Sequence, residues 1–122
     1  MSEKIFHITS REAWNVAQHQ GQYSAPSLMS EGFIHCSTRT QVLPVAEKFY
    51  KGQTGLMLLV IDSTRLSSGL KWEAPFDGVP LPGASASETF PHIYGPINLD
   101  AVVQVLDLES TAGGKVVLPT LP

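Results

Sequence analysis

The run Leu56-Met-Leu-Leu-Val-Ile-Asp62 constrains this chain more than any other stretch. Side chains in a strand alternate between two faces, so an unbroken aliphatic run leaves an apolar surface on both. Such a strand must be covered above and below, which places residues 56–62 at the centre of a sheet. The chain has 122 residues, 43% of them hydrophobic and 16% charged. That balance supplies a core, excludes disorder as the global state, and fits one domain over 1–122 with its packed part at about 4–109.

Around this strand the pattern alternates between periods. Residues 4–8 read as a strand with Ile5 and His7 on one face and Phe6 and Ile8 on the other. Thr9 and Glu12 fit a capping box, and Ala13, Trp14 and Ala17 carry a helical stripe that ends at Gly21. Residues 22–31 read as a loop with at most one helical turn. Residues 33–37 form a second strand, with Phe33, His35 and Ser37 facing one way and Ile34 and Cys36 the other. Val42, Val45, Ala46 and Phe49 predict a helix, in which Pro44 must either lie in the opening turn or produce a kink. Strands are expected at 92–97 and 102–109, a flexible flap rich in Pro and Gly at 75–91, and a tail at 110–122. The expected class is α+β, a mainly antiparallel sheet with two or three helices.

Composition removes several function classes. Eleven acidic against eight basic residues give a net charge of −3, and the lysines and arginines are scattered, so no nucleic-acid surface is expected. Cys36 is the single cysteine, which excludes an internal disulfide and favours a reducing compartment. The apolar run falls far short of the ~20 residues of a membrane helix. Lys4 and His7 interrupt what would be the apolar core of a secretory signal. The expectation is a soluble cytoplasmic protein without a membrane partner. Dinucleotide, P-loop, nucleophile-elbow and zincin motifs are all missing.

What remains is an unusual placement of histidine. Three of the four, His7, His35 and His92, fall within expected strands, where a half-buried imidazole needs partners for both nitrogens. His19, near a helix end, reads as a solvated side chain. His7 shares its strand face with Thr9, and a ring beside a hydroxyl can hold a ribose diol, against the plainer reading of a strand histidine tied to a neighbouring carbonyl. His92 and Tyr94 project together from Phe90-Pro-His-Ile-Tyr-Gly-Pro96 and read as a ligand floor, against the plainer reading of an edge strand marked by its prolines. Glu73, beside Trp72 and the start of the flap, is the carboxylate chosen for chemistry. Cys36 faces away from His35, so it reads as buried and inert.

These strings, Ile5-Phe-His-Ile-Thr9, Trp14, Gly21-x-Tyr23, Gly32-Phe-Ile-His-Cys-Ser-Thr38 with Gln41, and Phe90 to Pro96, resemble the bacterial domain-of-unknown-function 952 family from about Ile5 to about Leu108. That family is grouped with the ADP-ribosyltransferase fold. The resemblance implies a split antiparallel sheet around a pocket for NAD or a related nucleotide, with NAD as substrate and transfer or hydrolysis of ADP-ribose as the reaction. It implies that His7 with Thr9 anchors the ribose and that His35 with Ser37 lies against the nicotinamide, with His92 and Tyr94 in the binding wall. Glu73 would steady an oxocarbenium-like state or activate an acceptor. The chain departs from the pattern in lacking a clear copy of the later-strand catalytic glutamate, having only Glu73 and Glu88 near the flap. Two other readings stand beside this one: a non-catalytic protein that binds a nucleotide-like small molecule, and three histidines meeting around zinc, although the spacing gives no metal motif and no metal is expected.

Overall fold

The computed structural model describes residues 4–75, 88–111, 113 and 115–122. The expected flap falls mostly on residues 76–87, outside those described. The strand at 56–62 takes its expected place. β1 (Lys4–Ser10) and β8 (Val102–Ser110) flank β4 (Leu56–Asp62) in the order β1-β4-β8-β9, with β9 at Val116–Val117. All seven residues of β4 are buried. Lys4 pairs with Asp62 and Ser10 with Leu56, while on the other side Leu56 pairs with Leu108.

The alternation of β1 and β4 divides the interior in two. Ile5, Leu59 and Ile61 face one core with Ala17 of α1 (Arg11–Gln20) and Tyr23 of β2 (Gln22–Tyr23). Phe6, Ile8, Leu58 and Val60 face another, closed by Val42 and Ala46 of α3 (Val42–Phe49). Pro44 sits in the first turn of α3, where a missing N–H costs nothing. Between the first and last helices lie α2 (Pro26–Ser30), the one turn foreseen in the loop, and β3 (Ile34–His35).

Two smaller sheets complete the fold: β2 with β7 (Ile97–Asn98), and β3-β6-β5, where β5 is Gly69–Glu73 and β6 is Phe90–Tyr94. Every strand pairing among the described residues is antiparallel. The three-stranded sheet is fastened to the four-stranded one by a bridge between Phe6 and Ser37, with N–H to O distances of 2.8 and 2.7 Å in the two directions. The result is an α+β fold with three α-helices among the described residues. No helix among the described residues is long and apolar enough to cross a membrane.

Several expectations need correction. The cap of α1 is Ser10, not Thr9: Ser10 Oγ accepts from the Ala13 N–H at 3.0 Å, and β1 runs two residues further than expected. Gly21 does end the helix, at φ 84° in the left-handed region that glycine enters freely. The 92–97 strand is two strands, and Phe90 and Pro91, assigned to the flap, belong to the first. β6 is the middle strand of its sheet, which overturns the edge-strand reading of its prolines. β5 was not foreseen, because its residues are exposed or half-buried and show no apolar face.

Truncating β4 should cost as a fully enclosed site costs. Leu58→Ala removes a side chain with no exposed surface and is expected to lower stability by about 3 kcal/mol, read from the urea midpoint of the variant.

Candidate functional site

The three strand histidines meet. His7, His35 and His92 all line one cavity of about 660 Å³ beside the seam between the two larger sheets, together with Thr9, Tyr23 and Ser37. Residues from α3, among them Lys48 and Phe49, close another side.

His7 is buried, and both of its ring nitrogens are engaged. Its Nδ1 lies 2.6 Å from the His35 carbonyl oxygen and its Nε2 2.8 Å from the Tyr23 hydroxyl. A carbonyl only accepts, so Nδ1 carries a proton. Tyr23 is oriented to donate onward to Thr9 Oγ1 at 2.8 Å. With the ring neutral, Nε2 becomes an acceptor and the order reverses, Thr9 donating to Tyr23 and Tyr23 to His7. The three groups form a relay whose direction follows the charge on His7. Burial pushes the His7 pKa down to about 4, against the opposing pull of the His35 carbonyl, so the neutral order holds near pH 7. Burial likewise raises Tyr23 to about 12, the Thr9 hydrogen bond opposing it.

His35 and His92 are directly opposite in the β3–β6 register. Their ring centroids are 5.4 Å apart in an edge-to-face arrangement, and Phe33 packs on both, stacked on His92 at 4.1 Å and tilted on His35 at 4.8 Å. Each imidazole has a carboxylate. His35 Nε2 is 2.7 Å from Glu31 Oε1, and His92 Nδ1 is 2.8 Å from Glu73 Oε1. The Tyr94 hydroxyl donates to that same Glu73 oxygen at 2.5 Å. The hydrogen bonds from Tyr94 and then His92 hold the Glu73 carboxyl below its usual range. Burial lowers the His92 pKa, with the Glu73 hydrogen bond working against it.

Ser37 is buried, yet its hydroxyl makes no hydrogen bond to the described residues. No buried polar side-chain atom among them lacks a partner, so the Ser37 hydroxyl opens on the cavity. Glu73 and Tyr94 do not line the cavity; they reach it only through His92. Cys36 is buried, and its thiol pKa is pushed up by desolvation, as befits a side chain that stays protonated. Among the described residues no group of three His, Cys, Asp or Glu side chains is placed to hold a metal ion. Both His7 nitrogens are spent on protein partners, which leaves that ring without a lone pair to offer a zinc ion.

Tyr23, Glu31 and Phe33 escaped the choice of site residues. Tyr23 and Glu31 sat in a stretch read as loop. An aromatic two residues after the helix-ending Gly21 was the available signal for Tyr23. Phe33 carried one as well, since its expected strand face was the face of His35 and Ser37.

The profile of a family described as a protein of unknown function, DUF952, matches residues 8–105. The crystal structure of protein CC0527 from Caulobacter crescentus is 33% identical, with a TM-score of 0.77 over 93% of this chain and 92% of that one. A crystal structure of a double mutant of the same protein gives 32% identity and the same TM-score, and its solution NMR structure gives 33% and 0.71 over 91% and 89% of the two chains. No curated protein matches.

The His7 site makes stability depend on pH. Unfolded, the ring titrates near 6.5; folded, near 4. Between those values the unfolded chain binds more protons, so the contribution is complete above pH 6.5 and is lost as pH falls towards 4. The loss attributable to His7 is roughly 3 kcal/mol. Urea midpoints measured from pH 7.5 to 4.5 should fall, and His7→Gln should flatten the slope.

Proposed function

The chain belongs to the DUF952 family, and on that premise we propose that its cavity binds NAD or a related ADP-ribose-containing nucleotide on an ADP-ribosyltransferase-like fold. The single observation that carries this reading is the convergence of His7, His35 and His92 from distant parts of the chain on one cavity. At about 660 Å³ the cavity is of the size that encloses a small organic ligand. Its contents suit a nucleotide. The His35 and His92 rings, backed by Phe33, offer flat surfaces to a base or a nicotinamide, the Thr9 and Ser37 hydroxyls suit a ribose, and Lys48 supplies a cation for phosphate.

The roles shift from those implied by resemblance. His7 spends both nitrogens on the protein, so in this reading it does not grip the ribose itself; it sets the direction of the Tyr23 and Thr9 hydroxyls, and Thr9 meets the sugar. Glu73 acts at one remove, through His92. The reaction is attack on the ribose carbon with nicotinamide as leaving group, giving transfer or hydrolysis of ADP-ribose. The second reading, binding without turnover, is favoured by Glu31 being the one carboxylate among the described residues that line the cavity.

Thermal unfolding with NAD, ADP-ribose and nicotinamide tests the reading. A ligand at a hundred times its Kd adds about 2.7 kcal/mol, so NAD or ADP-ribose should raise Tm in a saturable way, and His35→Ala should reduce the shift. No shift with any of the three at millimolar concentration would remove the nucleotide. Chromatography of NAD incubated with the chain then separates turnover from binding alone.

A further inference from the structure

One imidazole nitrogen at the wall of the cavity has no partner among the described residues. The His92 side chain is only 3% exposed, and its Nδ1 faces Glu73. The carboxylate accepts, so Nδ1 carries the proton and, in the neutral ring, Nε2 carries the lone pair. Among the described residues no hydrogen bond reaches Nε2. Since no buried polar side-chain atom among them is left unsatisfied, Nε2 opens on the cavity that His92 lines.

The ring is held against rotation from several sides. Phe33 stacks on it at 4.1 Å with 21° between planes. Glu73 is in turn held by the Tyr94 hydroxyl, and the Lys71 ammonium lies 4.8 Å from the centre of the Tyr94 ring. The charged and titratable groups around His92 are Glu73 and Lys71 of β5, Tyr94 of its own strand, His35 of β3 and, beyond it, Glu31. A carboxylate on one imidazole nitrogen and an open lone pair on the other is the arrangement by which a histidine is made to take protons.

We propose that His92 is the general base of the cavity, accepting through Nε2 the proton of a water or acceptor hydroxyl, with Glu73 as its positioning residue. The electrophile rests on the nucleotide reading above; the base does not. In the reaction with water, an O–H bond breaks and its proton passes to Nε2. The oxygen's electron pair forms the bond to the anomeric ribose carbon. The bond from that carbon to the cationic ring nitrogen breaks, its electron pair leaving with nicotinamide, which departs neutral. The imidazolium is stabilised by the Glu73 carboxylate and returns its proton to solvent. Burial keeps the ring neutral, and so able to accept, at ordinary pH.

The test needs no substrate. Long-range proton–nitrogen correlation spectra of the full chain, labelled with nitrogen-15, report each histidine's tautomer, and carbethoxylation by diethyl pyrocarbonate, mapped by mass spectrometry, reports each ring's reactivity. Expected are the Nδ1–H tautomer for His92, reaction there faster than at His7, and a pH profile inflecting below the usual histidine value of 6.5. Glu73→Gln should slow reaction at His92 several-fold and move the inflection lower, while exposed His19 reacts unchanged. Tyr94→Phe should keep the tautomer, and serves if Glu73→Gln fails to fold. An Nε2–H tautomer at His92, or reactivity no greater than that of His7, overturns the proposal. Protection of His92 by ADP-ribose supports both readings; a reactive His92 left unprotected removes the nucleotide and keeps the base.

Discussion

Two backbone hydrogen bonds, those between Phe6 and Ser37, hold the site together. Where they form, the segment carrying His35 runs antiparallel to the one carrying His7, and the His35 carbonyl comes within 2.6 Å of His7 Nδ1. From β3 the register passes to β6, setting His35 opposite His92, and from β6 to β5, setting Phe90 opposite Glu73. Pairing alone therefore carries position from one histidine to the next. The side chains add orientation rather than placement.

The polar groups of the cavity divide into those satisfied within the protein and those left for a ligand. The His7 ring, Tyr23 and Thr9 are linked to one another, and each buried polar atom in that chain is accounted for. A buried neutral imidazole in such a relay costs less than a charged one, which is why desolvation dominates its titration. Ser37 and His92 stand on the other side of the division, each with a polar atom turned towards open space. The same enclosure that makes His7 a structural element makes His92 available.

Much of this fold was legible where a physical pattern had no competitor. Residues 56–62 are apolar on both faces, and no arrangement other than a covered central strand accommodates them. The period of two in β1 put His7 and Thr9 on one face, and the same rule put His35 with Ser37 and His92 with Tyr94. Legibility failed where a tertiary partner overrode a local preference. Thr9 has the chemistry of a helix cap, but Tyr23 claims its hydroxyl, and Ser10 caps in its place. β5 shows no periodicity because Trp72 is left substantially exposed. Glu73 looked like a carboxylate at the reacting centre from its neighbours in sequence; only the geometry shows that it reaches the cavity through another ring.

The pairing of β4 has a kinetic corollary. Its two neighbours come from opposite ends of the described chain, Lys4 meeting Asp62 on one edge and Leu56 meeting Leu108 on the other. Contacts so distant in sequence close large loops before they return any energy, and folds dominated by them reach the native state slowly. During synthesis the aliphatic strand waits, uncovered on one edge, until Val102–Ser110 emerges to meet it. Over that interval it is the segment most in need of shelter from neighbouring chains.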